Sequence, residues 1–145
     1  MGFLTSKIEG LKAIESQSNL LISTLIKVRE KMIVAANVEQ MNSGERAEKG
    51  RKILPRYAPS TVKYKRRKGQ PFNRVTLKDS GDFHKSVYVT FTNKGFVLGA
   101  RDSKVKYIEP KYTPEIYGLN EDNIKKLQDI VKGDMIKLVK LKLER

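Results

Sequence analysis

The chain has no cysteine and no tryptophan among its 145 residues, and only one histidine, His84. Without thiols there is neither a disulfide framework nor a cysteine-ligated metal site, and the redox compartment stays open. No apolar run approaches the ~18–20 residues that cross a bilayer. The opening "MGFLTSKIEG" lacks the basic start, apolar centre and small-residue cleavage site of a signal peptide. Met1-Gly2 with Ser6 opens like a myristoylation signal, but Gly2 follows an initiator Met for many other reasons, and the match is discounted. The expectation is a soluble intracellular protein with no membrane partner. The last scarcity is local: from Lys49 to Lys78 there is no Asp or Glu.

That acid-free stretch holds eleven of the 30 Lys and Arg residues. The formal charge is +14, so the rest of the chain sums to only about +3. A basic middle between nearly balanced ends attracts polyanions: nucleic acid, acidic protein surfaces or anionic lipid. The plainer reading is a solvated loop that aids solubility. Apolar residues make up 39% of the chain, enough for a core, and the length suits a single α+β domain over 1–145.

Periodicity sets the order of elements. Ser6 and Glu9 have the spacing of a capping box. Ile8, Leu11, Ile14, Leu21, Leu25, Val28 and Met32 follow at helical steps, and Ala35, Ala36, Val38 and Met41 extend them. A long helix over 7–42 is predicted, stopped by Asn42-Ser43-Gly44. Residues 45–76 form a basic extension. Within it Ser60 caps a short helix to about Lys68, ended by Gly69, or the stretch is a mobile loop. As a helix it is basic nearly all round.

Residues 77–108 read as a β-sheet region. Val87, Val89 and Phe91 alternate with Tyr88, Thr90 and Thr92, Asn93-Lys94-Gly95 turns, and Phe96 to Ala100 returns. Val105 to Ile108 is a third strand. Asn120 caps a final helix over 120–143, with Ile124, Leu127, Val131, Met135 and Leu138 as its stripe. The class is α+β: a long N-terminal and a C-terminal helix packed on a small antiparallel sheet, with the basic segment between.

Asp79, Ser80, Asp82 and His84 crowd into six residues and invite a catalytic reading. A triad fails, because its members come together from separate segments and no nucleophile-elbow pattern surrounds Ser80. One His and two Asp make a poor metal set, and no glycine-rich phosphate loop occurs. The structural reading explains more. Leu77 anchors the end of the basic segment. Asp79-Ser80-Gly81 turns with Gly81 at positive φ, Asp82 caps one helical turn, and Phe83 packs inward. His84 is then exposed or hydrogen-bonded. No catalytic, cofactor-binding or metal residue is assigned, and no enzyme activity is expected.

"YAPSTVKYKRRKG", a spacer, and "LKDSGDFHKSVYV" together resemble a linked pattern in tailed-bacteriophage virion-morphogenesis and tail-completion (neck) proteins. The matching positions are Tyr57, Ala58, Pro59, Ser60, Thr61 and Lys65, then Leu77, Asp79, Ser80, Gly81, Phe83, Ser86 and Val87. They span about 57 to 92. The later "YIEPKYTPEIYGLNED" departs from the aromatic and glycine motif of many relatives. The resemblance implies a structural subunit that forms a ring at the neck, the head–tail junction or the tail terminus. It further implies a virion location, with host cytoplasm during assembly. The implied partners are portal or connector, tail tube or tail terminator, and copies of itself. Arg56, Lys63, Lys65, Arg66, Arg67 and Lys68 are the candidate contacts to a neighbour or, weakly, to DNA. The rival reading is a sequence-nonspecific nucleic-acid-binding protein, with Tyr57, Tyr64 and Phe72 interleaved among the cations for stacking.

Overall fold

A computed structural model of the chain describes residues 8–9, 12, 18–48, 51–112 and 114–144. Ser6, Leu11 and Ile14, on which the capping box and the start of the long helix rest, lie outside the described residues. The chain divides into two units, residues 1–30 with 125–145, and residues 31–124.

The first unit contains α1 (Ser18–Lys27) and all but the first turn of the last helix, α6 (Glu121–Glu144). Half of the residues of α1 are apolar, yet none is buried. The expected stripe of α6 is buried at Leu127 and Val131. Arg29 pairs with Asp134 at 2.7 Å.

The long helix predicted over 7–42 is interrupted. α1 ends at Lys27, and α2 runs from Glu30 to Asn42. Arg29 N–H bonds to the Ile26 carbonyl, three residues back, so the ladder tightens out of α geometry there. Thr24 Oγ1 also donates to the Leu20 carbonyl at 2.9 Å, a back-bond that bends helices. No proline was needed to break the helix.

In the second unit α2 buries Ile33, Asn37, Gln40 and Met41. This is a regular i, i+4, i+7, i+8 face, but half of it is amide. The expected continuation through Ala35 is wrong, because Ala35 faces solvent. Asn37 Nδ2 donates to the carbonyls of Ile116 and Gly118, both at 3.0 Å. Gln40 Nε2 donates to Gly118 O at 2.9 Å, and Gln40 Oε1 accepts from Asn120 N and Asn123 Nδ2. These bonds satisfy the carbonyls of Ile116 and Gly118 and both ends of the Gln40 amide, while Asn37 Oδ1 is buried without a hydrogen-bond partner.

After α3 (Pro59–Arg67) and the one-turn α4 (Asp82–Lys85) comes the hairpin of β1 (Val87–Thr92) and β2 (Gly95–Ala100). Its register pairs Val87 with Ala100, Val89 with Leu98 and Thr92 with Gly95, closing on Asn93-Lys94. Val87, Val89 and Leu98 are buried, so the predicted alternation holds, with Phe91 half-buried and set edge-on to Phe96. The class is α+β.

The third strand is not formed. Val105–Tyr112 is α5, opened by Asp102, whose Oδ1 accepts from Lys104 N at 2.9 Å. Val105, Ile108 and Tyr112 share a helical face, and Tyr112 is buried. Tyr107, inward in a strand, is 69% exposed. A 3-10 turn, Pro114–Ile116, leads to Asn120. Asn120 caps α6 as expected, accepting from Asn123 N at 3.0 Å.

Candidate functional site

The helix α3 begins one residue before the expected cap. Ala58 holds the N-cap position with no side-chain bond, Pro59 is the first helical residue, and Ser60 lies inside. Proline fits there because its fixed φ is helical and its missing N–H would have had no partner. Gly69, at φ +68, ends the helix as predicted.

Twelve residues beyond the end of this helix, the turn around Asp79 folds back onto it. Tyr64 Oη donates to Asp79 Oδ1 at 3.3 Å, and Lys68 Nζ lies 3.0 Å from the same oxygen. Gln70 Nε2 donates to the Asp79 carbonyl at 2.9 Å. The Lys68 ammonium bond holds the Asp79 carboxyl below its ordinary value. The bonds of Tyr64 and Asp79 raise Lys68 in turn. From the other end, Tyr57 Oη accepts the N–H groups of Thr76 and Leu77 at 3.0 and 3.3 Å. Leu77 sits at φ +57, in the left-handed region, with its side chain buried.

Lys65 does not join the predicted contact surface. It is 4% exposed, and its ammonium donates to the Lys78 carbonyl and to Gln70 Oε1, above the Tyr57 ring. Its position on the helix is the reason: Lys63, Arg66 and Arg67 occupy i, i+3 and i+4 of one exposed face, and Lys65 lies opposite. The helix is therefore not basic all round. Lys68 is already paired to Asp79, and the Arg66 guanidinium lies 4.6 Å from the Phe72 ring centre. Arg56 is exposed.

The turn itself matches expectation at Gly81, φ +94. Gly81, not Asp82, is the N-cap of α4; Asp82 stands inside the helix and accepts from Ser80 Oγ at 2.9 Å. Phe83 is buried. Ser86 closes the motif: its hydroxyl donates to Phe83 O and accepts from the N–H groups of Arg101 and Asp102, tying the start of β1 to the end of β2.

His84 is buried, with Nε2 2.7 Å from the Thr76 carbonyl. Desolvation pushes its pKa down, against the Thr76 bond and with help from Lys78 and Lys65. Its ring nitrogen is thus committed to the backbone, while Ser80 turns to Asp82, so Ser80, His84 and an Asp are not assembled into a relay. Among the described residues no group of three His, Asp or Glu could hold a metal ion. No described helix is long and apolar enough to cross a membrane.

Sequence reasoning missed the bracing roles of Tyr57, Tyr64 and Gln70. The signal available was polar and aromatic residues at spacings that fit no amphipathic face. Comparison with protein-family models, curated proteins and solved structures finds no match.

Proposed function

We propose that the chain is a non-enzymatic structural subunit of a tailed-phage or prophage virion, set in a ring at the neck or tail terminus and needed for tail completion or head–tail joining. One observation carries this reading. The two sequence segments whose linkage resembles that family are bonded into a single body by Tyr57, Tyr64, Lys65, Lys68 and Gln70. A linked motif whose halves brace each other is a scaffold, and its polar groups are spent on one another rather than on a substrate.

Two further features support a role in assembly. The helix α1 leaves Leu20 68% and Ile22 38% exposed, as a helix covered by a neighbouring subunit would. The outward stripe of Lys63, Arg66 and Arg67 suits an acidic portal, tail-tube or terminator surface.

The test is mass spectrometry of purified particles from a host carrying the gene, with crosslinking. The expected result is the chain in particles, with links from residues 18–27 to a second copy or a neck protein. Complete, infectious particles lacking the chain would overturn the reading. The cationic stripe also favours a second reading, a nonspecific nucleic-acid binder in host cytoplasm. That reading predicts loss of the chain from particles and recovery on DNA.

A further inference from the structure

We propose that an open groove beside α3 is the docking site for an acidic segment of a partner protein that carries one bulky apolar side chain. The groove has a volume of about 590 Å³ and lies between residues 52–57, the face of Val62 on α3, and residues 72–75. That is the size of a pocket for a few side chains, not a whole domain. The proposal does not depend on the chain being a virion component.

Two properties define the occupant. The lining is apolar at Ile53, Leu54, Val62 and Phe72, and Leu54 and Phe72 remain 53% and 39% exposed. Those two side chains are available to be covered by an aliphatic or aromatic anchor. Lys52, Arg56 and Arg74 supply the charge, and no Asp or Glu lines the groove. No described carboxylate pairs with Lys52 or Arg56. Arg74 is fixed in place by Nε donating to Asn42 O at 2.8 Å and Nη1 donating to Asn73 Oδ1 at 3.0 Å. A pre-set guanidinium and two free cations around an apolar floor complement carboxylates flanking an apolar side chain.

Nucleic acid fits less well. Bases bind such surfaces by stacking on open aromatic faces. The two aromatic rings of this groove already carry cations, Arg66 at 4.6 Å from the Phe72 centre and Lys65 at 5.0 Å from the Tyr57 centre. The rest of the apolar lining, Ile53, Leu54, Val62 and Val75, is aliphatic.

The experiment uses the full chain and fluorescently labelled, end-blocked peptides of alternating glutamate and aspartate, with or without one central leucine. The leucine peptide is expected to bind at least about tenfold more tightly than its leucine-free counterpart, since one buried side chain is worth about that much. Lys52→Glu and Arg56→Glu should each weaken it by about tenfold, and Leu54→Ser should erase the advantage of leucine. All three positions are exposed, so an unchanged circular dichroism melt is expected and shows that the fold is kept. Equal binding of the two peptides would overturn the proposal, as would no binding to the wild-type chain. So would a single-stranded oligothymidylate that binds where the peptides fail and is lost in the same variants.

Discussion

Tyr57 holds together two segments that are twenty residues apart through one oxygen. Its hydroxyl accepts the N–H groups of Thr76 and Leu77, just where Leu77 adopts φ +57. A left-handed leucine costs roughly 1–2 kcal/mol, which these bonds offset. Tyr57→Phe is expected to lower stability by about 2 kcal/mol, measured by urea unfolding with an unchanged m-value. A loss below about 0.5 kcal/mol would mean that the two N–H groups are served equally well without the hydroxyl.

His84 makes a pH prediction of definite sign. Its folded pKa lies below the ordinary 6.5, chiefly through burial. The unfolded chain therefore takes up the proton first as pH falls. The His84 contribution is fully present above pH 6.5 and is lost as pH falls through the folded pKa. Stability of the wild type should drop in that window, and His84→Gln should flatten the drop. Asp79, held below 3.8 by the Lys68 ammonium, acts in a separate, lower window and should be unaffected by that substitution. An equal slope in both proteins below pH 6.5 would place the titration elsewhere.

At the scale of the element, α3 shows that cations four or fewer residues apart can have opposite roles. Lys63, Arg66 and Arg67 face outward, while Lys65 is buried and bonded to Lys78 O. Lys63→Ala and Arg67→Ala should change stability by less than about 0.5 kcal/mol. Under the nucleic-acid reading, each should reduce the salt dependence of DNA binding by about one ion. Lys65→Ala should do the reverse, costing about 2 kcal/mol by leaving the part-buried Lys78 carbonyl and Gln70 Oε1 without this donor, with no change in salt slope. Filter binding across a salt series, with urea melts of the same proteins, separates the two roles. The helix α2 holds the same lesson in neutral form, since Asn37 and Gln40 are as buried as Ile33 and Met41 beside them.

For the whole molecule, a net charge of +14 is less a general property than a placed one. The acid-free stretch ends at Lys78, and the next residue, Asp79, is the carboxylate that neutralises Lys68. Charge left over sits on the outer face of α3 and around the groove at Lys52, Arg56 and Arg74. Exposed apolar side chains remain in both units, at Leu20 and Ile22 on α1 and at Leu54 and Phe72 beside the groove. One unit thus offers cations and a cleft, and the other offers an uncovered apolar helix. Both are contact surfaces that the proposed assembly role calls for.

Patterns of short range were decided by the residues themselves. Alternation over Val87–Phe91, the Asn93-Lys94 turn, Gly81 and Gly69 at positive φ, and the Asn120 cap each depend on a few neighbouring residues, and each was legible. The α+β class followed from their order. What was not legible depended on atoms far along the chain. Val105–Ile108 is a short, mostly apolar run that reads as a strand, but Asp102 opens a helix there and Tyr112 completes its buried face. The amide face of α2 is buried only because the carbonyls of Ile116 and Gly118 come to meet it. Lys65 is inside only because Lys78 presents its carbonyl and Tyr57 its ring. A polar side chain left to itself prefers water. Its place is settled by whether tertiary structure supplies the partner that replaces water.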